Sequence, residues 1–138
     1  MMNKTKLAKF FYPNERILVG TISDIEVNQQ LLKDYLIELL NMLRTSESPL
    51  ILINDISMAR PLNAEQRLMV GEFIKKYKDD IEHSLQAMAY VVPNPSMQIV
   101  LENIFRVKSP PIHYELFTKY EEALSWCQNQ MLSNNISF

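Results

Sequence analysis

The run Leu50-Ile51-Leu52-Ile53 constrains this chain more than any other segment. Four apolar residues in a row leave no polar face for water, so the segment reads as a central strand covered by helices on both sides. Asn54 and Asp55 mark its carboxyl end. Ala87 to Val92 is a second strand of the same kind, stopped by Pro93-Asn94-Pro95. Buried strands of this type are parallel and are joined by helical crossovers, so the regions between them must supply amphipathic helices.

They do. Leu31, Leu32, Tyr35, Leu36, Leu39, Leu40 and Leu43 recur at spacings of three and four, with Asn28 as N-cap. Asn63 opens a second helix, carried by Met69, Val70, Phe73, Ile74, Tyr77 and Ile81. A short third helix carries Met97, Val100, Leu101, Ile104 and Phe105, and Lys108-Ser109-Pro110-Pro111 breaks it. Ile112 to Phe117 is the last strand; Tyr120, Ala123, Leu124, Cys127 and Met131 stripe the final helix. Ahead of all this, Leu7 to Tyr12 and Arg16 to Ile22 flank Pro13-Asn14-Glu15 and read as a hairpin, with Lys6 and Lys9 guarding an exposed edge. The predicted order is β-β-α-β-α-β-α-β-α. This is an α/β fold of one domain over residues 1–138, a five-stranded mixed sheet with one antiparallel edge strand and four helices. Residues 1–5 and 133–138 are expected to fray.

Composition removes several functions. Fourteen Lys and Arg against sixteen Asp and Glu give a net charge of −2, without the basic excess of a duplex nucleic-acid binder. Apolar runs span only a few residues, far short of the ~20 needed to cross a bilayer. The start shows no signal peptide, and one cysteine permits no internal disulfide; the expected compartment is the cytoplasm. The glycines, Gly20 and Gly71, open no phosphate loop, and no Gly-x-Ser-x-Gly elbow occurs. His83 and His113 lie far apart without a cysteine cluster, so neither a metal nor another cofactor is expected. Cys127, on an apolar stripe, is expected to be an inert core residue.

The candidate site residues all lie at strand ends. Asp55 ends a central strand, where open α/β sheets bind ligands; the local alternative is a cap on the loop through Ser57. Arg60 offers a planar fork for a carboxylate or phosphate, or else pairs with Asp55 or stays solvated. Asn63 caps its helix. Asn94 and Ser96 precede the third helix, whose free N–H groups attract anions, unless the two residues simply cap it. Eight methionines are many for this length; they serve as core filler, or as adaptable walls for an apolar ligand.

The second half also carries a recognisable pattern. Asn54-Asp55-Ile56-Ser57 closes a strand and Asn63-Ala64-Glu65-Gln66-Arg67 opens a helix. The stretch from Ile81 through His83 to Val92 leads into Pro93-Asn94-Pro95. Glu102-Asn103-Ile104-Phe105, Lys108-Ser109-Pro110-Pro111, Leu116-Phe117 and Glu121-Glu122-Ala123-Leu124-Ser125-Trp126 follow. From about Arg16 to Met131 the chain resembles the SpoIIAA-like family of small bacterial proteins, which belongs with STAS domains and the CRAL-TRIO lipid-binding fold. That resemblance implies a non-enzymatic interaction or regulatory module that docks a protein partner or its own copy. The alternative it implies is a carrier of a small apolar ligand or lipid. Relatives among STAS domains are switched by phosphorylation of a serine at the start of the helix after the third strand. The corresponding stretch, Met58-Ala59-Arg60-Pro61-Leu62-Asn63, holds no serine and no glycine, so the architecture carries over and the phospho-switch does not.

Overall fold

A computed structural model describes residues 6–107 and 111–136. Along the chain run β1 (Ala8–Asn14), β2 (Ile17–Ile22), α1 (Gln29–Thr45), β3 (Leu50–Asp55), α2 (Ala64–Lys76), α3 (Lys78–Ser84), β4 (Leu85–Val91), α4 (Pro95–Val107), β5 (Tyr114–Phe117) and α5 (Tyr120–Ile136). The strands form one sheet in the order β1-β2-β3-β4-β5. β1 and β2 are antiparallel, and every later pair is parallel. Ile51 stands opposite Ala87 and Asn54 opposite Tyr90, so the two apolar segments run side by side in the same direction. The α/β class and the five-stranded mixed sheet are as the sequence reads. Of the expected termini, 1–5 and 137–138 lie outside the described residues, as do 108–110 of the expected break after α4; the backbone of α5 continues to Ile136.

The helix count differs: five, not four. The single helix expected from Asn63 through Ile81 is divided at Tyr77, whose backbone (φ −108°, ψ 25°) leaves the α region. Tyr77 N–H still donates to Phe73 O (3.0 Å) and Tyr77 O accepts from Ile81 N–H (2.9 Å), so this one residue ends α2 and opens α3. The Tyr77 ring holds the bend. It lies 4.9 Å from the Phe73 ring and under the Arg44 guanidinium at 5.2 Å. The same Arg44 bonds Asp80 Oδ2 at 2.9 Å, tying α3 to the end of α1. Ile74 before the bend and Ile81 after it both pack on the same core layer.

The hairpin also turns two residues later than Pro13-Asn14-Glu15 suggests. Asn14 Oδ1 accepts from Arg16 N–H (2.8 Å) and Ile17 N–H (3.0 Å), making Glu15-Arg16 the turn. Pro13 therefore stays inside β1, where the register slips between Phe11 and Asn14. An irregular step on an edge strand is one of the few places in a sheet that tolerates a proline, which has no N–H to give.

Alternation along the central strands sorts the core into two layers. Ile17, Val19, Ile51, Ile53, Ala87, Ala89 and Val91 face α5, which buries Ala123 and Cys127 against them. Small residues on both sides let this helix sit close to the sheet. Leu18, Leu50, Leu52, Leu85 and Met88 face the other way, under Leu43 of α1 and Ile81 of α3. Near the β1 side, Leu32 and Leu36 of α1 cover Leu7, Ala8 and Ile22. All four residues of the Leu50–Ile53 run are buried, as two-sided coverage requires.

The two glycines should respond oppositely to alanine. A Cβ at Gly71, mid-helix in α2, would meet nothing within 4 Å, so Gly71→Ala should stabilise the fold by about 0.5–1 kcal/mol. A Cβ at Gly20 would lie 2.9 Å from the Phe10 ring, which itself stacks on Tyr35 at 6.0 Å. Gly20→Ala should cost about 1–3 kcal/mol through overpacking. Urea unfolding of both variants measures the two shifts.

Candidate functional site

Parallel strands deliver their carboxyl ends to one edge of the sheet. Thr21, Asp55, Val91 and Phe117 stand in one register row across β2 to β5. The loops that follow are laced together there: Ile56 N–H donates to Val91 O (3.2 Å) and Val92 N–H to Phe117 O (2.7 Å). The candidate residues from the sequence hang on this edge.

Each of them with a bonded side chain spends it locally or on a neighbouring loop. Asp55 Oδ1 accepts from Ser57 N–H (3.1 Å) and from Ser57 Oγ (2.6 Å), closing the turn after β3. Arg60 does not pair with Asp55. Its Nε donates to Asp24 Oδ1 at 2.9 Å, linking the β3–α2 loop to the loop after β2. Both partners are half-exposed, so the pair contributes at most about 1 kcal/mol. The sequence offers no signal for this contact, because the two residues are 36 positions apart and meet only since β2 and β3 are parallel neighbours. Asn94 Oδ1 accepts from Ser96 N–H (2.8 Å) and Met97 N–H (3.4 Å), and so caps α4. Among the described residues no hydrogen bond joins Asp55, Ser57, Arg60 and Asn63 to Asn94 or Ser96.

Asn63 does more than cap. Its Oδ1 accepts from Gln66 N–H (2.8 Å) while Gln66 Oε1 accepts from Asn63 N–H (3.0 Å), a reciprocal box. Gln66, only 3% exposed, also donates through Nε2 to Val27 O (2.8 Å) and Gln29 Oε1 (3.2 Å). One amide thus pins the start of α2 to the approach to α1. The Asn-x-x-Gln spacing was the available signal for it.

Beneath this edge lies a polar group that no local pattern announces. Tyr35 of α1 sends its hydroxyl toward Asn54 Oδ1 at 3.5 Å. The Tyr90 ring lies 5.4 Å from Phe105 and 6.4 Å from Tyr114, and Phe105 and Tyr114 meet at 4.7 Å. These rings seat α4 on the sheet. Burial pushes the Tyr35 phenol up to about 12 and raises that of Tyr90 further, with the neighbouring phenols adding to it. Burial likewise pushes the Cys127 thiol up to about 12. At neutral pH all three are protonated, so none is a poised nucleophile or base. Among the described residues no cluster of His, Cys, Asp and Glu could hold a metal ion. His113 instead packs its ring 5.6 Å from Trp126.

The surface around the edge is apolar in places. Met58 of the β3–α2 loop is 58% exposed, as is Ile99 of α4; Val100 is 50% exposed. No described side chain of α4 is buried.

Comparison with known proteins places these features in a fold. A family model described as a domain of unknown function (DUF7793) matches residues 20–131. The crystal structure of an uncharacterised DUF3478-family protein from Shewanella loihica PV-4, with a SpoIIAA-like fold, superposes with a TM-score of 0.67. The match spans 92% of this chain and 98% of that one at 11% sequence identity, a likeness of fold. None of the curated proteins compared matches the chain.

Two outcomes follow from the site chemistry. Asn63→Ala should cost about 1 kcal/mol in urea unfolding, because it opens the capping box. Cys127 and Tyr35 hold their protons in the native state above the ordinary values of 9.0 and 10.0, where an unfolded chain would release them. Their contribution to stability is complete below pH 9 and is lost as pH rises toward 12. Thermal melts from pH 7 to pH 11 should show a falling Tm above pH 9, with Cys127 unreactive to thiol reagents at pH 8 until the chain unfolds.

Proposed function

Because the chain belongs to the family described as a domain of unknown function (DUF7793) and has a SpoIIAA-like fold, we propose that it works as a non-enzymatic interaction or regulatory module. The observation that carries this reading is at the carboxyl edge of the sheet. The polar contacts seen there brace turns and loops, while Met58, Ile99 and Val100 expose apolar surface around them. Polar groups spent on holding loops in place suit a surface that must keep its shape. Exposed aliphatic and thioether side chains on such loops suit burial against a protein partner. Asn63, not a hydroxyl residue, occupies the N-cap of α2, so regulation by a phosphoserine at that position has no acceptor. The buried Cys127 suits a reducing compartment, which supports a cytoplasmic module. No helix among the described residues is long and apolar enough to cross a membrane.

A carrier of a small apolar ligand has less support. Two concavities of about 380 and 240 Å³ open on the outer flank of α1, with Asp34 and Glu38 on both rims, away from the aromatic contacts under α4.

The reading is tested by affinity capture from the source cell with wild-type protein and a Met58→Asp/Ile99→Asp double variant, both confirmed as folded by circular dichroism. A partner held by the wild type and lost from the double variant is the expected result. Capture that ignores the substitutions, or native mass spectrometry that shows a co-purified small molecule instead, would overturn it.

A further inference from the structure

The methionines of this chain differ sharply in where the fold puts them. Met88 is buried, and Met42, Met69 and Met131 pack against the core layers. Met97 is half-buried on α4. Among the described methionines only Met58 is exposed, at 58%. It sits at the tip of a turn. Ala59 N–H donates to Ile56 O at 3.2 Å, so Ser57 and Met58 are the central residues of a four-residue turn. The turn is anchored on both sides. Ile56 and Ala59 pack against the core, and Ile56 N–H donates to Val91 O at 3.2 Å. Asp55 Oδ1 takes both the N–H and the hydroxyl of Ser57. Turn centres favour Gly, Asn, Asp and Ser, whose backbone freedom or short polar side chains assist the turn. A long thioether assists neither the turn nor, being exposed, the core. The fold holds Met58 outward without using it, and a residue that departs from the local rule without a packing gain points to function.

We propose that Met58 is a site of reversible oxidation by a hydroperoxide and that its sulfoxide switches off the partner surface, the second part resting on the interaction reading above. The thioether sulfur attacks the outer oxygen of the peroxide. An S–O bond forms as the O–O bond breaks. The proton on the transferred oxygen passes to the departing oxygen, which leaves as water or an alcohol. Sulfur loses two electrons and the peroxide gains them. Access decides which methionine reacts, because the sulfur must meet the peroxide directly; the core layers cover the sulfur of Met88 and the turn presents that of Met58. The product is a strong hydrogen-bond acceptor where an apolar group stood. Beside the exposed Ile99 and Val100 of the same edge, that acceptor resists burial against an apolar partner, since it loses its water without gaining a donor. Ile56 and Ala59 keep the turn on the core in either state, so the change stays on the surface. A methionine sulfoxide reductase reverses it.

Hydrogen peroxide added to the folded wild type, followed by peptide mapping over time, tests the site. Met58 should gain an oxygen at least about tenfold faster than Met42, Met69, Met88 or Met131. The preference should vanish when the chain is oxidised in guanidinium, and circular dichroism of the Met58-oxidised protein should match the reduced one. Equal rates in the folded chain, or faster oxidation of Met97, overturn the assignment. Affinity capture from the source cell then tests the switch. A partner held by the reduced wild type should be lost after oxidation and regained after treatment with a methionine sulfoxide reductase. Met58→Leu, apolar and of similar volume, should hold the partner and ignore peroxide. Capture that survives full oxidation of Met58, or a Met58→Leu variant that peroxide still inactivates, overturns the switch and leaves the partner surface standing. A reduced wild type that captures nothing overturns the partner surface and the switch built on it, while the mapping still decides the oxidation site.

Discussion

The structure depends on two-sided burial of the parallel strands β2, β3 and β4. Ile51 and Ile53 point one way, Leu50 and Leu52 the other, and neither set sees solvent. Full burial of a Leu or Ile side chain stabilises by about 1.5–3 kcal/mol, so each layer needs its own helical cover. α5 covers one face; α1 and the α2–α3 pair cover the other. Every other feature answers to that requirement. Parallel pairing forces crossovers, crossovers place α1 to α4 between strands, and the carboxyl ends of β2 to β5 arrive together at one edge.

The covering layer on the α1 side is not uniform. α2 and α3 meet at a bend at Tyr77, Ile74 and Ile81 pack on the core from either side of it, and Arg44 of α1 reaches across to the Tyr77 ring and Asp80. α4 is different. It rests on Tyr90 and Tyr114 through Phe105, while Ile99 and Val100 look outward. None of the described side chains of α4 is buried, and exposed helix surface of this kind can change without disturbing the core. The sheet ends at β1 on one side and at β5 on the other, and on β1 the exposed aromatic residues Phe11 and Tyr12 lie on a strand instead of a helix.

The candidate site shows how far local reasoning reaches. Caps are local, so the roles of Asn63 and Asn94 in opening helices could be read from spacing, and Asp55–Ser57 is a two-residue turn of the expected kind. Gln66 was visible in principle, at the third position after Asn63. The Arg60–Asp24 pair and the Tyr35–Asn54 contact were not, because each joins segments that only strand order brings together. Charge and aromatic content do not say which of many Asp or Tyr residues will be neighbours.

What the amino-acid sequence determined by itself is the alternation of elements, the parallel sense of the central strands and the identity of the core. These follow from apolar periodicity and run length, which are properties of neighbours along the chain. What only the tertiary structure decided is the bend at Tyr77, the place of Pro13 inside β1, the partner of Arg60 and the outward faces of α4 and β1. Each depends on what lies across the sheet or at its edge. A tyrosine in a helical stripe reads the same whether its helix continues or bends, until an arginine from another helix comes to rest on its ring.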